Sequence, residues 1–557
     1  MFILSALDGT IDINDIVMLV FLGLVTLICV FIGVWFIAAN VNKPDRKTLG
    51  KKMRITDAAF AVSGVGFAIR VAFSLATVGY LGIKAAQPHM SERGLLELYT
   101  FIHKVFAGTV EPGNIYPLPG YLGIVMGGIL KLFGAFDYSI VSPVGNVWMQ
   151  VFIRLPYMLC DTVAVMVLFK IAKKYSNGHV ALGLSAIYAL CPIFFFGSSM
   201  WGSHLSILSL LILLSLYFMT QKNFLGLTVA YGLTLLTAIE ALYFLPVFAV
   251  FYAYHFIRGL KLDREAKKQA MRAEFKGGTT GKIAQNAKKP QDNNTPAKMT
   301  FKECFFDAER GLAYRIPVYI IGSLIVMYLV SLPMLGGAEY NFFTWFAQIY
   351  IYPFSRVDFF GINAFKIYNL FGMNNAHIGE NVSGVVRGLI GFGFMAIATA
   401  LVYVMYSSRK NRANMVLIAC YVFVTLSVYS MGMSEMSLLP VLAALLLAFA
   451  LVKDKRILHI FSLLAFVMII NGCAVMVNAG YFTVVSIKEF ALGEGSAFLS
   501  DSTFGTVMNT VCTVLAVLTH LYFTLVALDV SISNKRLLFA PQNDSFGESV
   551  GDWFRLK

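Results

Sequence analysis

The residues best suited to chemistry in this chain are acids and cations set among long apolar runs. Glu92 and Glu97 lie in the polar stretch from Ala85 to Tyr116, followed by His103 and Glu111. A carboxylate there can act as a general base, taking the proton of an attacking hydroxyl within hydrogen-bond reach. Ordinary solvated surface acids are the competing reading. Arg70, Arg154, Asp161 and Glu240 interrupt apolar segments. Charges at membrane depth are costly and pair with each other or face a cavity, so each is a candidate for binding and for a structural ion pair. Arg356, Lys366 and His377 fall in a second polar stretch, where a cation can compensate a phosphate.

The elements that must position these groups are membrane spans. Of 557 residues 58% are hydrophobic and 13% charged, with mean hydropathy +0.73; soluble domains carry about 25% charged residues. The expected fold class is all-α, a polytopic transmembrane helix bundle with external interfacial loops. The net charge of +14 does not imply nucleic acid, because the basic residues cluster between apolar runs, where orientation in the membrane accounts for them. Six of the seven cysteines lie in apolar segments, without paired metal spacing or a disulfide framework. Asp8, Asp12 and Asp15 precede the first apolar run, which suits a retained helix better than a signal peptide.

Fourteen apolar segments are discernible, and four basic stretches (43–54, 258–315, 409–412 and 453–456) are expected in the cytoplasm. That orientation places the N-terminus and the 85–116, 336–382, 431–437 and 480–503 segments outside and the C-terminus inside. Fourteen crossings would return the C-terminus to the outer side, so one segment between 118 and 258 must fail to cross, leaving about 13 spans; if Lys170, Lys173 and Lys174 are cytoplasmic, the segment is 118–136. The expected organisation is an extra N-terminal helix and basic loop (1–56), an N-terminal membrane module (57–258), a basic linker (259–315), a C-terminal membrane module (316–530) and a cytoplasmic tail (531–557). Within the linker, 262–303 is rich in Lys, Ala, Gly, Gln and Asn and reads as disordered. Leu95, Leu96, Tyr99, Ile102, Val105 and Phe106 recur at helical spacing, which predicts an amphipathic interfacial helix.

Several motifs resemble the GT-C superfamily, multi-span glycosyltransferases that take a sugar from a polyprenyl phosphate, and bacterial relatives of the GPI mannosyltransferases look closest. Tyr116-Pro117-Leu118-Pro119-Gly120-Tyr121 is similar to the family's Tyr-Pro-Pro-Gly-Tyr element at the start of a span. Arg154 to Asp161 resembles Lys-Leu-Pro-x-x-x-x-Asp, with both charges on one helical face. Trp201-Gly202-Ser203-His204-Leu205-Ser206-Ile207 resembles Trp-Gly-Gln-x-Asp-Ser-Ile, with the polar-acidic element replaced by His204 and Leu205. Glu240 stands where the family often has Lys-Pro-Gln, with Arg154 or Arg70 as a conceivable ion-pair partner. Phe365 to Gly372, which includes Lys366, resembles Phe-Asn-x-Trp-x-x-x-Gly. Met433 to Pro440 keeps the Glu435 and Ser-Leu-Leu-Pro of the His-Glu-Lys-Ser-Leu-Leu-x-Pro element, but puts Ser434 and Met436 in place of the histidine and the cation.

The resemblance implies a GT-C-like fold and an inverting hexosyltransferase, mannose-like in its sugar. Glu92 would be the base and Glu97 the runner-up. Tyr116, Arg154, Asp161, Trp201, His204, Glu240, Arg356, Lys366 and Glu435 would bind substrate. The partners would be membrane lipid, the polyprenyl-phosphate sugar and a glycan, lipid or protein acceptor, at the outer face of a bacterial plasma membrane. No cofactor is implied, since the lipid-linked donor is a substrate, and no metal is indicated. The eroded polar motifs favour an alternative, a non-catalytic relative that binds lipid or acts as a scaffold. A transporter or flippase, suggested by the intramembrane charges, should show two halves with matching broken helices.

Overall fold

The computed structural model describes residues 13–42, 48–49, 53–76, 95–108, 116–135, 147–279, 311–335, 341–351, 366–371, 384–409, 411–430, 436–478 and 503–539. The chain is an all-α, polytopic membrane bundle. Its first half contains α1 (Ile13–Asn40), a two-residue-per-strand hairpin (Thr48–Leu49 with Met53–Arg54), α2 (Ile55–Ala76), α3 (Leu95–Phe106), α4 (Pro117–Leu132), α5 (Val147–Phe152), α6 (Leu155–Tyr175), α7 (Gly178–Leu190), α8 (Pro192–Phe195) with a π-turn over Phe196–Trp201, α9 (Leu205–Gln221), α10 (Phe224–Leu235), a 3-10 turn (Ile239–Phe244) and α11 (Leu245–Thr279). The second half contains α12 (Leu312–Ser331), α13 (Phe342–Phe346), a short 3-10 turn (Ile367–Phe371), α14 (Gly384–Arg409), α15 (Arg412–Tyr429), α16 (Leu439–Val452), α17 (Lys455–Asn478) and α18 (Thr503–Leu528).

Eight helices are long and apolar enough to cross a membrane, nine if α7 and its bent continuation form one span. Shorter apolar helices, among them α4, α9, α10, α15 and α16, fill out the bundle among the described residues. At the basic end Asn177 Nδ2 donates to Asn40 O at 2.7 Å, Lys174 reaches Gln221, and Lys455 N donates to Leu537 O at 2.9 Å. At the opposite end, the loop end, Arg154 donates to Ser74 O at 3.1 Å and Tyr350 O–H to Leu235 O at 3.3 Å.

The segment 118–136, the suspect in the parity of crossings, is the helix α4. Both of its ends lie at the loop end. Near its start, Leu118 N donates to Leu236 O at 3.1 Å and Tyr121 O–H to Val330 O at 2.9 Å. Near its finish, Leu130 shares an apolar cluster with Met149 and Ile153, which precede α6. At 16 residues α4 is shorter than the ~20 a span needs, as are α9, α10, α15 and α16. The Tyr-Pro-Leu-Pro-Gly-Tyr element opens α4, with Pro117 at its first turn. Gly123 and Gly127 admit the side chain of Ile102 from α3, so the expected amphipathic helix packs Leu98 and Ile102 against α4, and Tyr99 and Phe101 are buried as well.

The core runs around α16, whose residues Leu439 to Val452 are buried on nearly every face. A helix apolar all round must be surrounded by other helices, and α9, α15 and α17 enclose it. Large apolar side chains point outward where the bundle meets lipid, as in the stripe Leu518, Leu521 and Leu525 on α18 and Ile321, Ile325 and Leu329 on α12. One difference concerns the stretch expected to be disordered. Its first part, 262–279, continues α11, because Ala266, Ala270, Lys267, Lys268 and Glu265 are strong helix formers, and the basic composition hides that propensity.

Candidate functional site

At the loop end, three helix breaks lie side by side. Pro192 starts α8, which with the π-turn that continues it is bent by 49° from α7. Gly202 closes that turn at φ 64°, a left-handed conformation that glycine adopts without a Cβ clash. Ser203 N caps it by donating to Gly197 O at 2.8 Å, and Ser203 Oγ accepts from Leu205 N at 3.0 Å, starting α9. Trp201 is buried against Phe196, with ring centroids 5.7 Å apart, and His204 is buried beside the Tyr116 ring at 6.2 Å. A Cβ on Gly197 would stand 2.9 Å from Leu439, so the π-turn touches the entrance of α16 directly.

Around this contact an aromatic wall joins three segments. Trp345 is fully buried between Tyr328, Phe342 and Tyr350, in one cluster with Leu236, Ile239 and Leu242, and Tyr116 and Leu118 pack against it. Two charges lie in the same layer. Glu240, on the 3-10 turn, is 3% exposed and its Oε1 accepts from Ser437 Oγ at 3.4 Å. Lys366 is 1% exposed and donates from Nζ to Ser430 O at 2.6 Å, while Tyr368 O–H donates to Tyr429 O at 2.7 Å. Burial pushes the Lys366 ammonium well below its ordinary range.

Asp161 belongs to a different group. Its Oδ2 takes Nε and Nη2 of Arg70, both at 2.9 Å, and its Oδ1 accepts from Tyr188 at 2.7 Å. Arg70 Nη1 also donates to Gly66 O and Ala189 O. Every member is buried, and the network ties α2, α6 and α7 together. Arg154, expected on the same face as Asp161, reaches Ser74 O instead, and neither arginine pairs with Glu240. The ion pair conceivable between Arg154 and Asp161 is not formed, and Asp161 pairs with Arg70.

The structure brings Tyr116 and His204 together, seats Trp201 on Phe196, Glu240 on Ser437 and Lys366 on Ser430, and ties Asp161 to Arg70. Glu92, Arg356 and Glu435 lie outside the described residues. Glu97 falls in the first turn of α3, and its side chain is likewise outside the described set. Tyr350, Ser430 and Ser437 are partners that no spacing singled out. The signal for Ser437 was its place at the entrance of α16, in the retained Ser-Leu-Leu-Pro run. Among the described residues no three His, Cys, Asp or Glu side chains converge as a metal-holding group.

Residues 129–360 match the family model of the GPI transamidase subunit PIG-U. No curated protein matches the chain. The match spans the α7–α9 break, Glu240 and the aromatic wall to Tyr350, and it is compatible with a distant GT-C-like fold. It overturns the glycosyltransferase reading and the assignment as a hexosyltransferase enzyme, because the matched family is named as a subunit of a transamidase. The residues agree with this correction. Of the described acids near the loop end, Asp161 is consumed by Arg70 and Tyr188, and Glu240 is closed from solvent under Ser437. The motif positions that would hold a donor phosphate carry Ser434 and Met436. The match lends no support to a bacterial plasma membrane or to a polyprenyl-linked sugar as partner. What stands is an integral, multi-pass membrane protein.

Proposed function

We propose that this chain is a non-catalytic, lipid-holding subunit of a GPI transamidase-type membrane complex. The observation that carries the reading is the family match across the loop-end layer. The geometry supports a lipid-holding role, since that layer offers buried polar groups and an aromatic wall. Aromatic side chains above a lipid-facing bundle suit an amphiphile whose headgroup enters the layer while its tails stay in the membrane. By the positive-inside rule the layer lies on the side away from the cytoplasm, in the membrane where GPI is joined to protein.

The test is affinity purification of the tagged full chain in mild detergent, with mass spectrometry of what accompanies it, alongside deletion of the gene in its host. Co-purification of a transamidase polypeptide, with loss of GPI attachment in the deletion strain, is the expected result. A chain that purifies alone, in a deletion strain whose GPI attachment is intact, overturns the reading.

A further inference from the structure

At the basic end, the cations of α11 fall on one face. Gly259 packs against the start of α12, where a Cβ would stand 3.0 Å from Ala313 N. Beyond it α11 continues to Thr279 and carries Lys261, Arg264, Lys268 and Arg272. At about 100° per residue these four lie within about 80° of arc, on the side away from Gly259. All four are exposed. Among the described residues none of them has an acid partner, and Asp454 and Asp529 at the same end are both held by Arg456. Like charges four residues apart repel along a helix, so this row favours an anionic occupant.

Three occupants come into question, and the geometry favours one. The first is anionic lipid. Leu312, against Gly259, begins the apolar span of α12 and marks the membrane edge. Arg272 stands about 20 Å beyond that level, about two screening lengths from the headgroups. The second is the acidic stretch with Glu303 and Asp307, but it leads into α12, on the opposite, Gly259 face. The third is the segment 540–557. It carries Asp544, Glu548 and Asp552 at the four-residue interval of Arg264, Lys268 and Arg272, with no basic residue before Arg555. Its point of departure is fixed at the basic end. Phe539 O accepts from Asn42 Nδ2 at 3.2 Å, and the Phe539 ring lies 6.2 Å from that of Phe449 on α16. α15 packs against both α16 and α11, so about 20 Å, two interaxial spacings, separates Phe449 from α11. Residues 540–552 can span up to about 43 Å.

We propose that residues 540–557 dock on the cationic face of α11 and form an electrostatic latch across the basic end, apart from the loop-end layer. Each exposed ion pair is weak alone. The tether makes the contact intramolecular, so the three acids act together. The latch is therefore opened by salt.

The experiment is zero-length carbodiimide cross-linking of the purified full chain in neutral-lipid nanodiscs, with peptide mapping of the monomeric species. Lys261 and Lys268 should be joined to Asp544, Glu548 or Asp552, with the yield falling about tenfold between about 50 mM and 1 M salt. Arg264→Glu/Arg272→Glu leaves both reactive lysines in place and should lower the yield about tenfold. Asp544→Arg/Asp552→Arg in the same chain should restore it through Glu548 and the reversed pairs. If the reversal on α11 disturbs folding, Asp544→Asn/Asp552→Asn should give the same loss. Tail acids joined equally to other lysines, or a yield indifferent to salt and to charge reversal, overturns the latch. Links from Lys268 to Glu303 or Asp307 in their place overturn it in favour of that stretch. Loss of the tail links in phosphatidylserine nanodiscs overturns it in favour of lipid.

Discussion

Arg70 of α2 and Asp161 of α6 meet at 2.9 Å with neither side chain exposed, and Tyr188 of α7 closes the second carboxylate oxygen. Three helices are thus joined by one fully satisfied anion. Asp161→Asn leaves the guanidinium buried without its counter-charge, and the expected cost is about 3–5 kcal/mol. Removing both charges in Arg70→Met/Asp161→Leu should cost less than Asp161→Asn alone, since no charge is then stranded. Thermal unfolding of both variants in lipid measures this, and a double variant less stable than Asp161→Asn would contradict it.

The crossing of α1 and α7 depends on two glycines. A Cβ at Gly33 would run into Ile187, and one at Gly183 would stand 2.8 Å from Ile37 Cγ1. Neither neighbour has room to withdraw, since both are buried. Gly183→Val should destabilise by about 1–3 kcal/mol through overpacking. Ile37→Ala in the same chain should return part of that loss. The check is the unfolding midpoint of single and double variants, and additive losses would show that the crossing is not the cause.

Lys366 should leave a signature in the pH dependence of stability. Burial holds its ammonium well below the ordinary value near 10.5. Between the depressed native value and 10.5, the unfolded chain therefore binds a proton that the native chain does not. Stability then rises with pH through that window, and below it the full penalty of the buried charge applies. Lys366→Met should gain stability over wild type at neutral pH, with the gain shrinking toward about pH 10. Unfolding midpoints across that range provide the measurement. A constant difference at all pH values would mean that the lysine does not change protonation on unfolding.

The sequence exposed the class of fold more readily than the pairing within it. Apolar runs and basic stretches show a polytopic bundle because lipid forces every span to be apolar and fixes its orientation by charge. The packing of α4 on α3 was harder to see, since an apolar segment does not name its neighbour. The spacing of Gly123 and Gly127 was the available signal. The charge on Asp161 demanded a partner, but its choice of Arg70, 91 residues away, over Arg154 depends on how α2 approaches α6. Glu240 likewise meets Ser437 across 197 residues. Local spacing encodes neither contact. The motif resemblance pointed to the wrong chemistry, because a shared layout of spans survives the replacement of the polar residues that would act in it.

The basic end is closed by a clasp that should govern the C-terminal segment. Asp454 follows α16, caps α17 by accepting from Arg456 N at 2.9 Å, and takes the Arg456 side chain and Leu537 N. Arg456 in turn reaches Asp529 at 2.7 Å, and Lys455 N donates to Leu537 O. One carboxylate therefore both starts a helix and holds residues 534–539 across the bundle end. Asp454→Ala removes the cap, worth about 0.5–2 kcal/mol, and also the anchor of the strap. Asp454→Asn keeps an acceptor for the cap while weakening the hold on Arg456. Limited proteolysis should therefore nick the C-terminal segment several-fold faster in both variants, while the unfolding midpoint falls much further in Asp454→Ala than in Asp454→Asn. Equal midpoints in the two variants would show that the cap contributes little, and unchanged proteolysis would show that the strap is held elsewhere.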